Sequence, residues 1–185
     1  MLLAVTGTAV EVELQKMLTT AHVAKWMQDI VHMNWWILCG LSVLSAVLWW
    51  KLLNKARLPE VLLYTVLTLI IMMGLDECGD ELTLWVYPVY LFPVFPVISA
   101  SNLLFVTLSL SLTYQYFPTW KSFGIALIGV AGFLAFILEP VFAEIDLYRL
   151  LNWSYGYNFL LYIVVALLVR GIVLFLFSVA ERHSK

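Results

Sequence analysis

Five long apolar runs divide this chain, and no other feature limits its fold as much. A bilayer core is about 30 Å thick and a helix rises about 1.5 Å per residue, so a spanning helix needs about 20 mostly apolar residues. The runs cover Asn34 to Trp50, about Glu60 to Leu75, about Ser99 to Phe117, Trp120 to Leu138 and about Asn158 to Val179. Hydrophobic residues make up 63% of the chain and charged residues 12%, against about 45–50% and about 25% in soluble domains. The expected fold is therefore all-α: a polytopic helical membrane bundle of five transmembrane helices, spanning residues 34–179, with an N-terminal amphipathic segment. Its solvent partner is the lipid bilayer. A net charge of −2 offers no basic field for nucleic acid, and two cysteines, Cys39 and Cys78, make no disulfide scaffold. Both are expected near the outer leaflet, within possible reach of one another.

Tryptophan marks the boundaries a second time. The indole ring favours the headgroup level, half buried with its N–H wet. Trp35 and Trp36 open the first run, Trp49 and Trp50 close it, and Trp120 opens the fourth. Trp85 and Trp153 fall in the connectors before the third and fifth, forming an aromatic belt from which Trp26 alone stands apart.

Charge sets the expected orientation. Lys51, Lys55 and Arg57 follow the first run, Lys121 follows the third, and Arg182 and Lys185 lie in the tail. The other side carries Asp76, Glu77, Asp80 and Glu81 without a base, then Glu139, Glu144 and Asp146 against Arg149. The positive-inside rule puts residues 180–185 in the cytoplasm and the N-terminus outside, despite Lys16 and Lys25. Residues 1–33 lack a basic region ahead of a long apolar stretch, so no cleaved signal peptide is expected. Leu14, Met17, Leu18 and Ala21 share a helical face. That segment reads either as an amphipathic helix on the outer membrane surface or as an extension docked on the bundle.

Three places offer chemistry. From Leu84 to Pro96 the chain is apolar yet broken by Pro88, Pro93 and Pro96. With Trp85, Tyr87 and Tyr90 it reads as a roof over an outward-facing pocket for a lipid, a small apolar ligand or a protein partner, or else as an interfacial connector. Asp76 and Asp80 stand one helical turn apart and offer oxygen ligands to a hard cation, or simply form a solvated acidic helix end. Asp76 and Glu139 both fall at the outer rim and can face one another, as carboxylates in proton coupling or acid catalysis do. Pro140 is expected to turn Glu139 away from helical geometry. Arg170, midway along the fifth run, needs an interior partner such as Asp76 or Glu139, or must snorkel to the headgroups. Asn102, Ser109 and Thr113 share a face of the third run, and Gly124, Ala131 and Ala135 one of the fourth. These predict a close antiparallel hairpin about Pro118-Thr119. No cofactor motif is present, and His22, His32 and His183 have no zinc-like spacing.

The segments Leu84-Trp85-Val86-Tyr87-Pro88, Tyr114 to Phe123, Glu139-Pro140-Val141-Phe142 and Leu151-Asn152-Trp153 carry a resemblance. Over roughly residues 60–175 the chain resembles a small uncharacterised family of multi-spanning membrane proteins of Gram-positive spore-forming bacteria. That resemblance implies a bacterial cytoplasmic-membrane protein and carries no activity. The acidic residue ahead of Trp-x-Tyr is also similar to membrane carotenoid cyclases, whose proline-linked Glu-Glu pair is missing after Pro93 and Pro96. Three functions are open at this stage. The leading one is a non-enzymatic bundle that binds a partner, lipid or small apolar ligand. The second is a small transporter or cation-binding protein using Asp76, Asp80, Glu139 and Arg170. The third is an enzyme acting on isoprenoid or lipid with Asp76 and Glu139 as acid and base.

Overall fold

The computed structural model describes the backbone of residues 2–93 and 101–183, and side chains over 7–93 and 104–182. The start of the third expected run, Val94 to Pro96, the side chain of Asn102 and Lys185 lie outside the described residues.

The helices are α1 (Leu2–Asp29), α2 (Met33–Leu52), α3 (Leu58–Glu81), α4 (Ser101–Tyr116), α5 (Trp120–Phe133), α6 (Glu139–Glu144) and α7 (Tyr155–His183). Among the described residues four helical stretches, 33–52, 55–81, 120–144 and 155–182, are long and apolar enough to cross a membrane. Local chemistry sets several ends. Pro59 sits in the first turn of α3, where its missing N–H costs nothing. Thr119 caps α5 by accepting from the Ser122 amide at 3.2 Å.

Helices α3, α4 and α7 pack together, with α2 against α4 and α5 against both α4 and α7. The expected hairpin of the third and fourth runs is thus present, but α4 turns its hydroxyls mainly towards α3 and α2. Trp49 donates to Ser111 at 3.1 Å, and Ser111 meets Thr65 at 2.6 Å. Such bonds hold helices together where lipid gives apolar side chains no reason to leave it. Ala131 and Ala135 are fully buried on the inner face of α5 and its continuation. Large apolar side chains such as Val43, Leu44, Ile125, Phe136, Val164 and Phe175 face outward instead.

Helix α5 does not stop before Pro140. A π turn (Leu134–Leu138) joins it to α6, and Glu139 keeps helical angles (φ −64°, ψ −43°). The expectation that Pro140 would deflect Glu139 is therefore corrected. A proline in a regular helix clashes with the carbonyl four residues back. The wider π turn just upstream, closed by the Glu139 amide on the Leu134 carbonyl, accommodates the ring.

Helices α3 and α6 end alike. The Leu84 amide bonds the Gly79 carbonyl at 2.9 Å and that of Thr83 bonds Asp80, while the Leu147 amide bonds Phe142 at 2.9 Å and that of Asp146 bonds Ala143. Both are Schellman closures, with Thr83 (φ 53°) and Asp146 (φ 55°) in the left-handed position. Each sends the chain back over the helix ends. There β1 (Trp85–Val86) and β2 (Arg149–Leu150) pair antiparallel, Trp85 opposite Leu150. Leu84 also accepts from the amides of Leu151 and Asn152. Trp85 and Val86 thus form a short ribbon with Arg149 and Leu150 within the expected irregular connector, whose described remainder, residues 87–93, has no regular structure.

The two ends of the bundle differ in charge. One end gathers Asp76, Glu77, Asp80, Glu81, Glu139, Glu144 and Asp146 around the ribbon, with Asn34 bonded to the Ile145 carbonyl there. At the other end the Leu52–Arg57 connector meets Gln115 and Tyr116, close to Lys51, Lys55 and Lys121. Helix α1 reaches the acidic end, where Trp26 donates to the Leu91 carbonyl at 2.9 Å and Lys25 bonds the Pro88 carbonyl. Its last turns therefore dock on the ribbon segment, while Val10, Leu14, Met17 and Leu18 are exposed.

Candidate functional site

The acidic end holds two buried carboxylates. Asp76 lies in the last turns of α3 and is 8% exposed. The ribbon folds down on it: the Trp85 indole donates to Asp76 Oδ1 at 3.0 Å, and the Tyr87 hydroxyl donates to the same oxygen at 2.6 Å. Trp85 and Tyr87 are themselves buried within the protein. Gly79 makes this possible, because a Cβ there would lie 1.9 Å from the Trp85 ring. Burial, with the Asp76 charge adding to it, pushes the Tyr87 phenol well above its ordinary range, so Tyr87 is a standing donor.

Glu139, 1% exposed, is held from α7. The Asn158 amide donates to its Oε2 at 2.7 Å, and the Tyr162 hydroxyl donates to Oε1. Asn158 also donates to the Tyr148 hydroxyl at 3.1 Å and accepts from the Trp153 indole at 2.7 Å. Burial, then Glu139, raises the Tyr148 phenol. Tyr148, Asn158 and Tyr162 join Asp76, Trp85 and Tyr87 in lining one cavity of about 20 Å³. That is room for about one water, far below the roughly 300–1,000 Å³ of ordinary ligand pockets. Among the described residues this cavity is too small for an apolar ligand. Asp76 Oδ2 is buried with no hydrogen-bond partner among the described residues.

The remaining sequence candidates lie elsewhere. Asp80 is exposed, so its carboxylate does not share the buried site with Asp76. Among the described residues no three His, Cys, Asp or Glu side chains group as metal ligands. Tyr90 packs beside His22 and under Lys25 of α1. Arg170 reaches neither carboxylate. It donates to the carbonyls of Phe117, at 2.9 Å, and Pro118, within an aromatic box of Tyr114, Trp120 and Phe123. The reason is distance: twelve helical residues separate it from Asn158, about 18 Å along α7. It does not snorkel either, being 2% exposed. Cys39 and Cys78 are both free.

Sequence reasoning missed Tyr148, Asn158 and Tyr162. Their only signal is polar character next to an apolar run, and pairing them with Glu139 takes the fold. Comparison with protein-family models, with curated proteins and with solved structures found no match to this chain.

Proposed function

We propose that this chain is a five-span protein of the bacterial cytoplasmic membrane, N-terminus outside and C-terminus in the cytoplasm. In this reading its outer end is a non-enzymatic binding site for a small cation, a proton or a monovalent metal ion. The carrying observation is the Asp76 carboxylate: buried, with one oxygen unpartnered, on a water-sized cavity. Burying a carboxylate without a counter-charge is costly. Among the described residues no ion pair reaches Asp76: Lys25 pairs with Asp29, Arg149 with Asp146 and Arg57 with Glu60. The Tyr87, Tyr148 and Tyr162 side chains line the same cavity, and their hydroxyl oxygens would be further ligands for a cation of low charge. A divalent ion is disfavoured, since Ca²⁺ takes about 6–8 oxygens and Mg²⁺ keeps several waters. The sorting of charge between the two ends supports the orientation.

Thermal unfolding in detergent tests the site. Raising Na⁺, K⁺ or acidity, with choline chloride as the ionic-strength control, is expected to raise the Tm of the wild type. Ligand at about 100 times its Kd stabilises by about 2.7 kcal/mol. Asp76→Asn removes the charge and should abolish the response. A wild type indifferent to every cation overturns the reading, and the cation that acts identifies the ligand.

A second reading rests on a different feature. An apolar groove of about 240 Å³ between α2 and α4, lined by Leu44, Leu48, Trp49, Leu108 and Leu112 with Ser45 and Ser109, fits a lipid or small apolar ligand. Native mass spectrometry from mild detergent should then find a retained lipid, released by Ser45→Trp.

A further inference from the structure

Asp76 is one end of a longer feature. Glu60, Tyr64, Thr68, Met72 and Asp76 follow one another at intervals of four on α3, which places them on a single ridge. Tyr64 and Thr68 are fully buried, Met72 and Asp76 are buried, and Glu60 is half-buried at the basic end. Sixteen residues of helix separate the two carboxylates, about 24 Å of a hydrocarbon core about 30 Å thick. Four of the five side chains are polar, in the helix that α4 and α7 both cover.

The neighbours extend the row. At the basic end the Tyr114 hydroxyl donates to Glu60 Oε1, and Arg57 holds both Glu60 oxygens, at 3.0 and 2.8 Å. Tyr114 stacks on Tyr64 with ring centroids 4.2 Å apart. The Tyr64 hydroxyl donates to the Ala166 carbonyl at 3.3 Å, and the Thr68 hydroxyl donates to the Tyr64 backbone carbonyl at 2.8 Å. On α4 the Thr107 hydroxyl is buried with no partner among the described residues. Above Thr68 the one apolar member, Met72, borders the water-sized cavity that Asp76 lines. The Tyr64 bond to Ala166 ties α3 to α7, but Asp76 Oδ2 has no partner among the described residues, and an unpartnered buried polar atom is costly.

We propose that the Glu60–Tyr64–Thr68–Met72–Asp76 ridge is a path along which protons cross the bundle, with Met72 as its apolar gate. This rests on the reading of Asp76 as a cation site and names the proton as the cation. A proton taken up by Asp76 from the outer phase passes by hydroxyl and water relay past Met72, and another leaves through Glu60. No co-reactant is consumed. The titratable and charged groups facing Asp76 are Tyr87, Tyr148, Tyr162 with Glu139, and Glu77 and Asp80 of its own helix; those facing Glu60 are Arg57, Tyr114 and Arg170.

The full-length protein in vesicles with a trapped pH dye, voltage clamped by K⁺ and valinomycin, tests the path after an external acid jump. Wild-type vesicles should acidify faster than protein-free ones, and Asp76→Asn and Glu60→Gln should fall to the protein-free rate. Thr68→Val guards against misfolding, because among the described residues the Thr68 hydroxyl bonds within its own helix, at the Tyr64 carbonyl. It should block flux at unchanged Tm, with Thr68→Ser restoring it, and Met72→Ser should speed flux. Vesicles as tight as protein-free ones, or full flux in folded Thr68→Val, overturn the path. If tight vesicles accompany an intact cation-dependent Tm, the path alone falls; if that Tm response is missing too, the cation site falls with it.

Discussion

Gly79 and Trp85 share one patch of space. A Cβ at residue 79 would stand 1.9–2.5 Å from three atoms of the indole ring, closer than any real contact, and the ring is pinned by its bond to Asp76. Gly79→Ala must therefore push Trp85 off Asp76 and lift the ribbon. Overpacking of this kind costs about 1–3 kcal/mol. The expected outcome is a lower Tm and a red-shifted, more quenchable tryptophan emission. Emission and Tm equal to wild type would mean that Trp85 does not lie against α3. At this scale the sequence marks Asp76, Trp85 and Tyr87 as polar groups near an apolar run. It does not say that all three converge on one oxygen, because that depends on the left-handed turn at Thr83 reversing the chain.

At the scale of elements, Arg170 joins α7 to the α4–α5 turn. The carbonyls of Phe117 and Pro118 lie past the end of α4, where helix carbonyls have no intrahelical donor. A buried guanidinium supplies both the hydrogen bonds and the positive charge that a helix C-terminus favours. Hydrogen bonds to charged groups contribute about 1.5–3 kcal/mol each. Arg170→Leu should lower both the folded yield and the Tm in detergent, since it removes the donors to two carbonyls past the end of α4. An unchanged yield is what pure snorkelling would give, and would sink this assignment. The sequence located the cation correctly but named the wrong partners. Backbone carbonyls carry no residue signature, so an acceptor made of them cannot be read from side-chain identities.

For the whole molecule, the ends sort by charge. Lys55 and Asp80 stand at opposite ends, at the two termini of the stretch 55–81. In a background with Cys39→Ser and Cys78→Ser, Lys55→Cys and Asp80→Cys should react with a membrane-impermeant thiol reagent from opposite sides of intact cells or vesicles. Asp80→Cys should label from outside and Lys55→Cys only after permeabilisation. Labelling of both from one side would overturn the orientation and the five-span reading together.

The amino-acid order alone determined where the long helices run, because hydrophobic length and bracketing polar residues are local and lipid cannot satisfy a bare amide. It also determined which ends carry which sign of charge. Tertiary structure decided the rest: that Glu139 stays helical on a π turn, that Trp85 and Val86 pair with Arg149 and Leu150, and that Asp76 faces Tyr148, Asn158 and Tyr162 across a water-sized space. Each depends on which helix faces lie together, and that is settled by side-chain packing between segments up to about a hundred residues apart, as Tyr64 and Ala166 are. No local window of sequence contains both partners.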